Sequence, residues 1–497
     1  MGQSHGLPQA ERDAPGEPGD PTSELKRELT PSKNDGRVTT RLVAMAAVAA
    51  LGGFLFGYDS AIINGTVDAV REQFGLGSGL LGFTVSCALV GAALGAWFAG
   101  VCSQRFGRVR TMLVASALLS VSALGCGFAF GVWDLIWWRF VGGIGVGFAS
   151  VIAPAYIAEI APSKVRGRLG TLQQLSLVSG IFLAFLLSAM IAWLAGGASQ
   201  SAWLGLEAWR WMFLTLLVPS LVYGILASRL PESPRYLVEK GDDEGARLVL
   251  VDVVGMVSGE ATENKIAEIK ATVNLERRQR FTDLFGGKFG FKTLVWIGIL
   301  LSVFQQLVGI NVIFYYSTTM WRSVGFQESD SFTISVITSV TNIVATIVAI
   351  SLVDKVGRKL LLLVGSALMT LSLGTMAVAF AQAVTLNGEL SLPGSWGMVA
   401  LVAANLFVVG FGASWGPVVW VLLGEMFPNN IRSLALGLGA AAQWIANFVV
   451  STTFPTLAEA GLQLAYGIYA GFALLSFLFV WRMVRETNGR QLEHMPL

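Results

Sequence analysis

Two ionisable residues fall in stretches otherwise too apolar to hold charge: Asp59, the only charge between Leu42 and Ile63, and Arg139 within 135–156. Ionisable groups in a membrane-spanning segment are costly and usually functional. Burial disfavours an ionised carboxylate and a nearby cation favours it, so an acid alternately wetted and paired with a guanidinium can load and release a proton. The alternative is a structural pair that never titrates. A second set carries neutral hydrogen-bonding chemistry: Gln174, Gln305, Gln306, Asn311, Asn342 and Gln443, with the indoles of Trp415 and Trp444, all in apolar runs. Amides both donate and accept, and flat rings cover apolar faces, which suits a neutral ligand rich in hydroxyls. Taken singly, a buried amide more often joins two helices. Asn311 and Tyr315 are four apart, a spacing that turns both towards one cavity on a helix.

Other chemistries find little support. The only histidines are His5 and His494, near the chain ends, and Cys87, Cys102 and Cys126 form no CxxC pair. We therefore expect no metal site, disulfide or cofactor. There is no nucleophile–base pair, so the chain reads as a non-enzyme. The run Gly142-Gly143-Ile144-Gly145-Val146-Gly147 follows Trp137-Trp138-Arg139 inside an apolar segment, not a strand. Close helix packing explains it better than nucleotide binding. No Walker A pattern occurs, which argues against direct ATP drive. The cluster Trp415-Gly416-Pro417 is expected to bend its helix, since proline removes a helical hydrogen bond.

The elements that must position these residues follow from composition. Of 497 residues 54% are hydrophobic and 13% charged, against about 25% charged in soluble domains. A helix needs about 20 apolar residues to cross roughly 30 Å of hydrocarbon. Such runs occur at 41–63, 79–100, 111–130, 135–156, 171–193, 209–228, 292–316, 331–353, 360–381, 396–423, 433–455 and 463–484. The fold class is thus an all-α membrane protein with twelve transmembrane helices. Alternate connections hold the basic clusters: Arg105, Arg108 and Arg110; Lys164, Arg166 and Arg168; the charged stretch 229–291; Lys355, Arg358 and Lys359; Arg432; and Arg482, Arg485 and Arg490. Basic loops stay cytoplasmic, which puts both termini inside a multi-pass plasma (inner) membrane protein. Net charge of +2 gives no sign of nucleic-acid binding. Residues 1–40 are polar, lack the core of a signal peptide and read as a disordered tail.

The chain repeats itself. Arg105-Phe106-Gly107-Arg108 answers to Asp354-Lys355-Val356-Gly357-Arg358-Lys359, Glu159-Ile160-Ala161-Pro162 with Arg166 to Glu425-Met426-Phe427-Pro428 with Arg432, and Pro231-Glu232-Ser233-Pro234-Arg235 to Arg485-Glu486-Thr487-Asn488-Gly489-Arg490. Three pairs in matching order imply a six-helix unit used twice: a bundle over 41–228, linker helices over 229–291, a second bundle over 292–484 and a tail over 485–497. Parallel six-helix repeats are the build of a transporter that rocks two bundles about a central site. Ion pairs at the cytoplasmic ends would then hold the bundles together in one state and part in the other. Glu159, Arg166, Glu232, Glu425 and Arg432 are the first candidates, with Arg105, Arg108, Arg235, Asp354 and Arg358 contributing.

With these motifs and Gln-Gln-x-x-Gly-Ile-Asn at 305–311, residues 40–490 resemble the sugar porters of the major facilitator superfamily. The opening segment FLFGYDSAIINGT at 54–66 is most similar to bacterial proton-coupled hexose and pentose permeases. Gln104 departs from the usual Asp, and Arg485-Glu486-Thr487-Asn488-Gly489 from the usual Pro-Glu-Thr-Lys-Gly. The resemblance implies sugar contacts at Gln174, Gln305, Gln306, Asn311, Asn342, Trp415, Gln443 and Trp444, an outer gate at Tyr315 and Tyr316, and proton coupling at Asp59 with Arg139. Phe56 would add a ring to the sugar face. The expected activity is proton-coupled import of a monosaccharide, glucose in the first place, by a chain working as a monomer in the lipid bilayer. A facilitator of the same fold, a xylose, galactose or polyol symporter, and a non-transporting sugar receptor are the alternatives.

Overall fold

The computed structural model describes residues 40–162, 165–252, 259–276, 281–287, 290–386, 389–428 and 431–486. The side chains of Arg166 and Asp354, and both terminal tails with residues 487–490 of the last repeated motif, lie outside the described residues. Among the described residues twelve helices are long and apolar enough to cross a membrane: span 1 Thr40–Gly65, span 2 Ser78–Phe106, span 3 Arg108–Gly127, span 4 Val132–Ile160, span 5 Leu169–Ala195, span 6 Ala208–Ala227, span 7 Thr293–Tyr315, span 8 Glu328–Val353, span 9 Arg358–Ala381, span 10 Trp396–Met426, span 11 Leu434–Ala460 and span 12 Leu462–Met483. Several run past their apolar stretches, because a helix continues through flanking charge until a breaker stops it. Gly107 and Gly357 are those breakers at equivalent places, with φ of 99° and 93°. Only glycine reaches such backbone angles without strain.

Helices without a soluble-type hydrophobic drive between them pack where small residues let backbones touch. The glycine run of span 4 does this against span 2. A Cβ on Gly143 would stand 2.0 Å from Ala88 O, and one on Gly147 2.3 Å from Ala92 O. Span 2 answers with Gly91 and Gly95, whose added Cβ atoms would lie 2.2 and 2.3 Å from Phe140 O and Ile144 O. The run is therefore a packing device.

Three spans are interrupted, and two of the interruptions, in spans 7 and 10, lie among the candidate site residues. Span 6 is interrupted at Leu216 between Ala208–Thr215 and Leu217–Ala227. Span 10 carries a π-turn, Phe411–Trp415, just before Gly416 and Pro417, so the bend anticipated from Trp415-Gly416-Pro417 takes this form. Span 7 divides into Thr293–Leu307 and Ile310–Tyr315 around Gly309, whose φ is +81°. A Cβ at Gly309 would also sit 2.7 Å from the Tyr469 ring. Gly309→Ala is expected to destabilise the fold by about 1–3 kcal/mol through that strain, read as a lowered unfolding temperature in detergent. An unchanged temperature would mean that the break does not need glycine.

The stretch between the bundles forms helices Pro234–Lys240, Asp243–Asp252 and Gly259–Glu276 around a small core of Val238, Ala246, Leu250 and Ile266. The Ser233 hydroxyl caps the first, accepting from Arg235 N and Tyr236 N. Two short hairpins, Phe285–Gly287 with Gly290–Phe291 and Val384–Leu386 with Glu389–Ser391, were not expected from an all-helical reading. They are connection structure and leave the architecture all-α.

Candidate functional site

Asp59 and Arg139 meet across spans 1 and 4. Both are buried, at 4% and 3% exposure, and Arg139 Nη1 lies 3.9 Å from Asp59 Oδ2. The guanidinium is shared out rather than saturated. Its Nη2 donates to Val85 O at 3.3 Å, its plane lies 5.8 Å from the Phe213 ring centroid, and its Nε has no partner among the described residues. The pair lines a cleft with Ser60, Tyr315 and Trp444. Trp444 comes from span 11, and its ring lies 5.6 Å from that of Phe56 on span 1. Tyr315 of span 7 thus faces Ser60 of span 1 and Trp444 of span 11 across this cleft.

The amides of span 7 form a relay. Asn311 Nδ2 donates to Gln306 Oε1 at 2.6 Å, and Gln306 Nε2 to Gln305 Oε1 at 3.3 Å. Gln305 Nε2 donates in turn to Trp415 O at 2.8 Å and Gly416 O at 3.3 Å. The break at Gly309 is what lets Asn311 fold back onto Gln306. The relay thus ties the break in span 7 to the bend in span 10. Buried polar networks of this kind hold their members in one geometry. Asn311 is half-buried and its carbonyl oxygen accepts from no described residue. Asn342 is buried beside the π-turn, with Oδ1 3.0 Å from where a Gly412 Cβ would be. Gln174 and Gln443 are half-buried on spans 5 and 11. Trp415 stands apart from the other candidates. It is fully buried and its indole N–H is engaged by Leu362 O at 3.1 Å and Ser366 Oγ at 2.9 Å, so in this arrangement it anchors the bend to span 9.

At the end of the molecule away from the basic loops the halves are closed on each other. Asn64 Oδ1 accepts from Thr318 N at 3.0 Å, Asn64 O from Thr318 Oγ1 at 2.6 Å, and Asn64 Nδ2 donates to Ser335 at 3.3 Å. Arg322 pairs with Asp68 at 2.8 Å, Arg71 with Glu459 at 3.2 Å, and Ser86 with Thr452 at 2.6 Å. Tyr316 donates to Ser451 O at 2.8 Å, a contact within one half. None of Asn64, Asp68, Arg322 or Thr318 stood out as a site residue in the sequence, because polar residues near span ends are common and only the fold shows which face each other. Asp68→Asn should loosen this closure. The pair is partly solvated, so we expect roughly 0.5–1 kcal/mol, a two- to fivefold gain in the open population, measured as labelling from that side of a cysteine placed at Ile63. Equal labelling rates would show that the pair is no latch.

At the basic end the repeated motifs form the same clasp twice. Arg108 binds Glu159 with both arms, at 2.9 and 2.7 Å, while Glu232 accepts from Arg108 N at 2.8 Å and Val109 N at 3.3 Å. Arg358 binds Glu425 at 3.1 and 2.8 Å, while Glu486 accepts from Arg358 N and Lys359 N at 2.9 Å each. Carboxylates are favoured at helix N-termini by the exposed N–H groups and the helix dipole. Arg235 lies 3.9 Å from Glu159, which also accepts from the Ser233 hydroxyl. Arg105 is exposed, its guanidinium 5.4 Å from the Phe106 ring centroid. The ion pairs between described residues at this end stay within one half, as Arg108–Glu159 and Arg358–Glu425 do, or tie the first half to the linker, as Arg108–Glu239 and Arg235–Glu159 do, so among the described residues none joins the two bundles directly. Arg432 donates to Phe427 O at 3.0 Å, and its buried Nη2 has no partner among the described residues.

Comparison with known proteins places this geometry in context. The family model "Sugar (and other) transporter" matches residues 45–497. The chain is 54% identical to the glucose transport protein of Synechocystis sp., over 94% of this chain and 100% of that one. It is 36% identical to the D-xylose-proton symporter of Escherichia coli, over 91% of this chain and 95% of the relative. Among solved structures, the partially occluded inward open conformation of the xylose transporter XylE from E. coli matches with a TM-score of 0.78 at 34% identity, covering 91% of this chain and 100% of that one. The same symporter bound to 6-bromo-6-deoxy-D-glucose matches with a TM-score of 0.75 at 35% identity, covering 91% and 98%.

Proposed function

The chain belongs to the sugar porters of the major facilitator superfamily, and on that footing we propose that it imports a monosaccharide, with glucose favoured, together with a proton by alternating access. The observation that carries this is the buried Asp59–Arg139 pair lining the same cleft as Tyr315 and Trp444. Proton and sugar machinery then share one space between the halves. A proton on Asp59 removes its attraction for Arg139, and the halves can rearrange around a neutral centre. Glucose is favoured by the 54% identity to a glucose transport protein, and proton coupling by the likeness to a xylose–proton symporter.

Basic loops mark the clasped end as cytoplasmic, with both termini on that side and the closed end facing out. The sugar would meet Asn311, Gln306 and Gln305 through the span 7 relay, the rings of Phe56 and Trp444, and the amides of Gln174, Asn342 and Gln443. Trp415 would act through the bend of span 10. The bundles 41–228 and 292–484 would move as bodies, braced by 229–291, with one chain as the transport unit. Arg432, whose Nη2 has no partner among the described residues, would be the side chain to reach across when the cytoplasmic end closes.

The test is uptake of labelled glucose into vesicles holding the purified protein, with and without an inward proton gradient. Accumulation above equilibrium that needs the gradient supports symport. Uptake that only equilibrates makes the chain a facilitator, and no uptake removes glucose as the substrate.

A further inference from the structure

The outward surface of spans 8 and 10 is split by an apolar groove that sugar transport does not use. Val340, Val344 and Val348 of span 8 and Val409 and Ala413 of span 10 form its walls, with Ala345 alongside, around a volume of about 420 Å³. Close-packed helices rarely leave a void larger than a water molecule. The three valines are 44%, 55% and 42% exposed, so the groove opens outward. It lies about half-way along both spans (Glu328–Val353 and Trp396–Met426), at the depth of the bilayer centre. It is continuous with the lipid-facing surface of these spans. Thr341 is the one hydroxyl in the lining, and it is already engaged by Ile337 O at 3.1 Å and Asn405 Oδ1 at 3.0 Å. Its proton is thus held within the protein and every other lining side chain is aliphatic, which suits hydrocarbon as the occupant.

We propose that this groove holds the end of a lipid acyl chain, wedged between spans 8 and 10 against the π-turn Phe411–Trp415. The depth selects the tail of the chain rather than its headgroup. Contact with the π-turn follows from Ala413, which belongs to both. Behind it the packing is tight: a Cβ on Gly412 would stand 3.0 Å from both Ala345 Cβ and Asn342 Oδ1. A seated chain therefore presses on the element that carries Trp415 and abuts Asn342.

The experiment uses the full chain in phosphatidylcholine vesicles doped with a phosphatidylcholine whose acyl chain ends in a diazirine. After photolysis, adducts mapped by mass spectrometry should concentrate on 336–348 and 405–413. Val344→Trp, which fills the groove, should lower them several-fold while leaving adducts around the lipid-facing Leu371 and Val378 of span 9 unchanged. Val340→Phe serves as a second filler should the first fail to fold. Adducts spread evenly over the lipid-facing spans, or undiminished by a folded filler, would overturn the proposal. Sugar movement plays no part in the readout, so failure here leaves the transport proposal standing.

Discussion

Replacing Asp59 by Asn is expected to abolish uphill accumulation of sugar while counterflow exchange stays within a few-fold of the unmodified protein. The amide keeps the shape of the carboxylate in a site where it is 4% exposed and 3.9 Å from Arg139. What it loses is the ability to take and give a proton. A gradient can drive accumulation only if the two proton states favour different arrangements of the halves, since a ligand shifts an equilibrium only by its differential affinity. A tenfold concentration ratio corresponds to about 1.4 kcal/mol, all of which must pass through the titrating group. Both assays belong in the same vesicles. Accumulation that survives in the variant would move the coupling to another group and leave the Asp59–Arg139 pair a structural one.

Gln305→Ala should have the second-largest effect, a loss of about 10- to 100-fold in transport at low sugar concentration. Gln305 is 2% exposed and supplies the donor for two main-chain carbonyls, Trp415 O and Gly416 O, as well as the acceptor for Gln306. An unsatisfied buried polar group costs about 1–3 kcal/mol. Most of that should be felt as a changed relation between the break in span 7 and the bend in span 10. Comparing Gln305→Ala with Gln306→Ala separates the roles. If both weaken sugar binding but only the first lowers the unfolding temperature, the relay is structural at Gln305 and ligand-facing at Gln306. Transport unaffected by either change would remove the relay from the sugar site.

Much of this was legible in the sequence because a bilayer writes in long words. Twenty apolar residues between basic clusters admit few readings, and all twelve spans lie where those runs lie. The repeated motifs were legible because they recur in order, and Arg108 with Glu159 and Arg358 with Glu425 meet as repeated partners should. Other features were hidden because they depend on three-dimensional neighbours. Asn64 and Thr318 are 254 positions apart and meet only when the end of span 1 is brought against the chain that follows span 7. Ser60 looks like an ordinary small polar residue until the fold sets it in one cleft with Asp59, Tyr315 and Trp444. Trp415 was legible as an aromatic in an apolar run, but only the fold shows that Ser366 and Leu362 on span 9 engage its N–H.

The contacts of Glu232 and Glu486 bear on how far two halves of a duplicated protein can drift apart. Each carboxylate accepts from main-chain N–H groups, at Arg108 and Val109 in one case and Arg358 and Lys359 in the other. A main-chain donor is the same whatever side chain follows it. Valine at one site and lysine at the other are therefore equivalent to the acceptor. The same reasoning covers Arg485-Glu486-Thr487-Asn488-Gly489, whose neighbours differ from the usual pattern while Glu486 keeps its two bonds. What inheritance must preserve is a glycine to turn the chain and one acidic residue to meet the turn. Around those fixed points and the Arg108–Glu159 and Arg358–Glu425 pairs, the flanking letters can change without loosening either half, so mutational tolerance should be high at Val109, Lys359 and Arg485 and low at Gly107, Gly357, Glu232, Glu486 and the two paired arginines with their acids.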